Sequence, residues 1–261
     1  MINKAVRLAK GFIHKLVDDY NYPYKKINSL PSERPSQQSV YYFINQLGKH
    51  QPVGLTHNVG TGYHELPFPE LKFKTSRSDL DSRLQRIKEV QAIEGAYGVD
   101  IGCAIGGMTF GLQKLGAQMV GIDRDQPSIN VASECEALFK TGANFECRSV
   151  DEGVISELST VYANPKTGRF DFAVWFSSFN WVAEALGREA TAKVLQETSA
   201  VVDALIADSA IGGKGAPALE NIGVVSNEAF VSFILENSSY SNFEIVGKDL
   251  DWYGREVYKF F

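Results

Sequence analysis

The chain has 261 residues, 44% of them hydrophobic, enough to bury one substantial core and a covering segment besides. No run of about 18 uncharged apolar residues occurs, which argues against a membrane-spanning helix, and the mixed N-terminus lacks the apolar block and cleavage site of a secretion signal. Net charge is −5 but unevenly spread: residues 1–95 carry 14 Lys and Arg against 9 Asp and Glu, and residues 96–261 carry 12 against 22.

A basic N-terminal third suits an anionic partner, although two ordinary solvated surfaces explain it as simply. The acidic remainder argues against a broad nucleic-acid-binding face. Three cysteines, Cys103, Cys135 and Cys147, show no paired or metal-ligand spacing, so a reducing compartment, the cytoplasm, is expected and a metal site is not.

Taken in order, residues 3–18 predict an amphipathic helix with Val6, Ala9, Phe12, Ile13 and Leu16 on one face. A Tyr- and Pro-bearing stretch follows, then a helix over about 38–48. The segment QPVGLTHNVGTGYHELPFPE reads as loop, with room for a hairpin. A helix over about 78–94 has Ser78 placed to cap it, Asp81 in its first turn and Leu80, Leu84, Ile87 and Val90 at helical spacing. Residues 1–95 therefore form a mainly helical N-terminal extension, a possible acceptor-binding cover.

From residue 96 to 261, strands and helices alternate: YGVDI, AQMVGID, NFECRSV, FDFAVWFSS and ALIADSA are strands separated by helical segments, with Pro127 suited to a first helical turn. Two further strands close the chain in FEIVGKDLDWYGREVYKFF. Strands alternating with helices predict an α/β fold, a doubly wound and mostly parallel sheet covered on both faces.

The segment YGVDIGCAIGGMTFGLQKLGAQMVGIDRD carries the chemistry. A strand ends in Asp100 and passes through Gly102, Cys103, Ala104 and Gly106 into a helix, so the backbone turns sharply and can approach a ligand closely. The next strand ends in Asp123, where a carboxylate can accept both hydroxyl hydrogens of a ribose; Arg124 stands beside it. A dinucleotide site would want Gly-x-Gly-x-x-Gly. Here the order is Asp-x-Gly-x-x-x-Gly-Gly, and an acidic strand end suits the amino group and sulfonium of S-adenosylmethionine (SAM) better than two phosphates. Asp151 at the third strand end reads equally as an adenine contact or as a helix cap, with Val150 an apolar edge beside it. Phe176 and Ser177 end the fourth strand; Phe179, Asn180 and Trp181 are placed on the following loop, as pocket walls or as core.

Residues 97–181 resemble the SAM-binding half of class I methyltransferases, through VDIGCAIGG, GID, SVDE and FDFAVWFSS. More narrowly, GCAIGG, GAQMVGIDRDQPSINVA, FDFAVWFSSFNW and the closing REVYKF with Arg255 are similar to methyltransferases that terminate bacterial O-antigen chains. The resemblance implies a Rossmann-like seven-stranded sheet with an antiparallel last strand, and methyl transfer from SAM to a small molecule or glycan. WFSSFNW lacks the Asn- or Asp-Pro-Pro-Tyr signature of adenine and amide methylation and the Pro-Cys pair of cytosine C5 methylation. An oxygen, or a less activated nitrogen, is thus the expected acceptor. RNA methylation, a non-catalytic SAM-binding scaffold and a nicotinamide-linked oxidoreductase are the alternatives.

All four histidines precede the glycine loop. His57 and His64, with Tyr63, are candidates for the general base a hydroxyl acceptor would need, or are structural. Arg77, Arg83, Arg86 and Arg255 are candidate contacts for an anionic acceptor; for Arg83 and Arg86 a solvated helix face is the simpler expectation. Asn180 and Trp181 are candidate acceptor-site residues. Trp252 and Tyr253 suit stacking on a sugar or a base, with core or hinge packing the simpler role.

Overall fold

A computed structural model describes residues 29–47, 61–62, 65–75, 78–209, 211, 216–249 and 255–261. The predicted helix over 3–18 lies outside them. The first described helix, α1 (Gln37–Gln46), starts at a reciprocal cap: Ser39 N–H donates to Ser36 Oγ (3.1 Å) and Ser36 N–H to Ser39 Oγ (2.9 Å). Two short strands, β1 (Thr61–Gly62) and β2 (Lys74–Thr75), pair in parallel; most of the glycine-rich segment, with the hairpin expected there, lies outside the described residues. Helix α2 (Leu80–Val90) follows, with Asp79 at its N-cap position; Ser78, the expected cap, is one residue too early and exposed.

The α/β body then runs β3 (Tyr97–Ile101), α3 (Gly107–Lys114), β4 (Gln118–Asp123), α4 (Gln126–Phe139), β5 (Asn144–Cys147), α5 (Val154–Tyr162), β6 (Phe172–Trp175), α6 (Phe179–Val201), β7 (Leu205–Asp208), α7 (Ala216–Glu220), α8 (Asn227–Glu236), β8 (Phe243–Asp249) and β9 (Arg255–Phe260). Helix α7 escaped the sequence reading; its five residues are too few for a period.

The seven longer strands form one sheet in the order β5-β4-β3-β6-β7-β9-β8, parallel from β5 to β7, with β9 antiparallel to both its neighbours. This is the expected fold class. Strands β6 and β7 are buried at every position because helices cover both faces. Val99, Ile101, Trp175 and Leu205 point into one apolar layer with α5, α6 and α8; Phe172, Val174 and Ile206 point into the other with α2 and α3. The chain winds outward from β3 to β5, then returns to β6 on β3's other side. That reversal opens the crevice where doubly wound sheets bind ligands. None of the described helices is long and apolar enough to cross a membrane.

Candidate functional site

The loop after β3 is built from left-handed backbone. Gly102 (φ +79°), Ala104 (φ +49°) and Gly106 (φ +86°) all lie there. At Gly102 a Cβ would also fall 2.2 Å from Ser178 Oγ, so no side chain fits. The first three residues of the loop are tied to the neighbouring strand. Gly102 and Cys103 N–H donate to the Ile122 carbonyl (2.8 and 2.9 Å). Ala104 N–H donates to Asp123 Oδ2 and Asp125 N–H to Oδ1, both at 2.9 Å. Each Asp123 oxygen has a lone pair left for a further donor. Burial pushes the Asp123 carboxyl above its ordinary value.

Asp100 is 4% exposed and accepts the Thr109 hydroxyl at 2.6 Å. Burial, then the nearby Asp123 charge, push its pKa up to about 6 against the pull of Thr109 and Arg83. Asp100 and Arg83 line one small cavity together with Leu80, Gly102, Cys103, Met108 and Phe176; its volume is about 20 Å³. In it a buried cation and a buried carboxyl meet the glycine loop.

Arg83 belongs to a buried ion cluster. Its guanidinium lies 4.5 Å from the Phe176 ring centre, its Nε 3.3 Å from Asp79 and its Nη2 3.8 Å from Asp208. Asp208 accepts Ser177 N–H (2.6 Å) and the Ser177 hydroxyl (3.3 Å). Arg255 Nη1 donates to Asp208 Oδ2 (3.3 Å) and Ser177 Oγ (3.2 Å). Ser177 itself is left-handed at φ +58°, and Ser178 Oγ donates to the Ile101 carbonyl (2.8 Å).

The structure thus brings Asp100, Gly102, Cys103 and Phe176 to one cavity, with Ala104, Gly106 and Asp123 along the loop beside it. Ser177 and Arg255 are engaged by Asp208. Val150 is half-buried against the core. Asp151 is exposed and does not cap α5, whose N-cap position is Gly153. Arg124 is exposed. Phe179, Asn180 and Trp181 form the first turn of α6 rather than a loop; Asn180 is buried and Trp181 is 37% exposed.

The solvated face expected for Arg83 and Arg86 is also corrected. Arg83 is 6% exposed, and Arg86 is half-buried with its side chain along Gly247, because α2 lies flat on the sheet. His57, Tyr63, His64, Arg77, Trp252 and Tyr253 lie outside the described residues. Asp79, Thr109 and Asp208 escaped the sequence reading. Asp79 and Arg83 stand four apart on a helix, a spacing that signals a pair; no local signal connects Asp208 to Ser177.

No family model matches the chain. It is 29% identical over 171 residues to the O-antigen chain terminator bifunctional methyltransferase/kinase WbdD of Escherichia coli, a match covering 60% of this chain and 23% of that protein. The chain therefore matches less than a quarter of the length of this curated relative. A medium-resolution structure of the bifunctional kinase-methyltransferase WbdD superposes with a TM-score of 0.58 at 20% identity, over 80% of this chain and 44% of that one; the two share a fold. Magnesium protoporphyrin IX methyltransferase from Synechocystis PCC 6803, solved with bound SAM, gives a TM-score of 0.47 at 17% identity, over 69% of this chain and 77% of that one.

Proposed function

We propose that the chain is a SAM-dependent methyltransferase that moves a methyl group to an oxygen or nitrogen of a small molecule or glycan. The observation that carries this reading is the pairing of Asp100 and Asp123 at adjacent strand ends, with a left-handed loop after Asp100 whose first glycine leaves no room for a side chain. Two phosphates would meet two carboxylates there; a cationic amino-acid end and a ribose meet complementary groups. The residues fit the donor. Asp100 receives the ammonium, Arg83 in the same cavity receives the carboxylate, Asp123 the ribose hydroxyls, and Val150 and Asp151 flank the adenine. Cys103, Ala104, Gly106, Arg124, Phe176 and Ser177 complete the cofactor site.

SAM supplies an already activated methyl carbon, so the chain has to align donor and acceptor and exclude water. Phe176 and the start of α6, with Asn180 and Trp181, provide the acceptor side. For a hydroxyl acceptor, the base is assigned to His57 or His64, with Tyr63 between them; replacing both histidines without loss of turnover refutes that assignment. The likeness to the O-antigen chain terminator directs the acceptor search to ends of bacterial polysaccharides, anionic ends included. All three cysteines are free thiols, consistent with a cytoplasmic site of action.

Calorimetric and thermal-shift titration with SAM, S-adenosylhomocysteine, NAD and NADP tests the reading, since a selective ligand raises apparent stability. Micromolar binding confined to the two adenosyl amino acids is the expected outcome; binding of NAD alone refutes it.

A further inference from the structure

Four charged side chains are buried together beside the glycine loop: Asp208 at 1% exposure, Asp79 at 5%, Arg83 and Arg255 at 6%. Burying ions is costly, and apolar replacements of buried pairs are often neutral or stabilising, so fold stability is a poor reason for this cluster. Its geometry supplies another. The Asp208 carboxylate, at the end of β7, is where β6, β9 and α2 meet. It takes the Ser177 N–H and hydroxyl, the Arg255 guanidinium and, at 3.8 Å, that of Arg83. A serine holds left-handed backbone only under such constraint. The next residue, Ser178, bonds the Ile101 carbonyl and fills the space that a side chain at Gly102 would need. Asp208 is therefore connected to the glycine loop by two routes, through the Ser177–Ser178 turn to Gly102 and through Arg83 to the cavity shared with Asp100.

We propose that Asp208 is a positioning residue for the amino-acid end of the methyl donor, holding Arg83 beside Asp100 and the Ser177–Ser178 turn against Gly102. It acts through Arg83 and Ser177 and touches no donor atom itself. A carboxylate and an ammonium then meet a preformed cation and anion rather than side chains that must first be ordered. The inference rests on the donor reading above and adds to it the residue that sets the site's geometry from the neighbouring strand.

The test is calorimetric binding of S-adenosylhomocysteine and of 5′-methylthioadenosine, which keeps the adenosine and thioether but lacks the amino-acid end, to the wild-type chain and to Asp208→Asn. Asparagine still offers an oxygen to Ser177 N–H but removes the charge that both arginines face. The expected result is at least a tenfold loss of S-adenosylhomocysteine affinity with less than a twofold change for 5′-methylthioadenosine. Equal losses for both ligands mark a merely structural residue and overturn the proposal, as does an unchanged S-adenosylhomocysteine affinity. A wild-type chain that binds neither ligand overturns the donor reading itself, and the inference with it. Should Asp208→Asn fail to fold by circular dichroism, Ser177→Ala removes only the hydroxyl bridging Arg255 and Asp208 and leaves every charge in place. A loss of threefold or more confined to S-adenosylhomocysteine then supports the proposal; equal or absent losses overturn it.

Discussion

Asp100 and Asp123 end neighbouring strands, yet they are held in different ways. Asp123 is fastened by two backbone N–H groups, whereas Asp100 is almost wholly buried and is held by Thr109, whose hydroxyl donates to it. An unfolded aspartate loses its proton near pH 4; folded Asp100 keeps its proton up to about pH 6. Between those values the folded state binds more protons, so stability falls as pH rises, and the cost stays in full above pH 6. Asp100→Asn, which can still accept the Thr109 hydroxyl, should therefore stabilise the free protein at pH 7.5, by at most about 3 kcal/mol at roughly 1.4 kcal/mol per unit. The gain should fade toward pH 4 and be accompanied by loss of SAM binding. Urea melts of both proteins at pH 4.5 and 7.5 check this, and a gain independent of pH contradicts it. Asp123→Ala should instead weaken SAM binding by about 1–3 kcal/mol, read by calorimetry; wild-type affinity would show the ribose assignment to be wrong. Both carboxylates were legible because strand, glycine loop and strand are contiguous in sequence. Arg83 was not, because helical spacing shows which residues share a face and not which face the sheet covers. Asp208 meets Ser177 across 31 residues, a contact only the folded sheet creates.

At the scale of elements, α6 shows where local reading stops. Gly187 sits at φ +77°, ψ 176° inside it, a backbone region open in practice to glycine alone. A sequence reading leaves Phe179–Trp181 in a loop; the chain instead turns at Gly187 and remains helical on both sides. That turn lets the first half present Asn180 and Trp181 beside the Phe176–Ser178 turn, while the second half packs Val194 and Leu195 into the core. Nothing lies within 4 Å of a Cβ built at Gly187, so the effect of substitution is conformational rather than steric. Gly187→Ala should cost roughly 1–3 kcal/mol, seen as a lower urea midpoint with an unchanged slope. A neutral substitution would mean that the two halves reach their places without that backbone. The antiparallel last strand was legible only through the family likeness, and the order of the strands not at all, since alternation of strands and helices predicts a parallel sheet but not which strands are neighbours.

For the molecule as a whole, the question is whether the N-terminal third is a detachable cover or part of one folding body. The described part of it is not peripheral. Val40, Tyr41, Ile44 and Leu47 of the α1 region share a buried cluster with Phe68, with Ile105 of the glycine loop, with Phe110 of α3 and with Val131 and Cys135 of α4. Phe68 stacks on Phe139 at 3.9 Å and meets Phe110 edge-on at 4.9 Å, and Arg34 pairs with Glu134. A segment held this way orders the back of the glycine loop, so its stability and that of the candidate site should be one quantity. Ile44 is fully buried, and Ile44→Ala should cost about 2–5 kcal/mol through the lost contacts and the cavity left behind. All three tryptophans, Trp175, Trp181 and Trp252, lie in residues 96–261, so their fluorescence follows the α/β body alone, while far-ultraviolet circular dichroism follows every helix. If α1 folds with the body, Ile44→Ala moves both transitions to the same lower urea concentration. A tryptophan transition left at its wild-type midpoint, with only the dichroism changed, would make residues 1–95 a separately folding cover and would detach the glycine loop from their support.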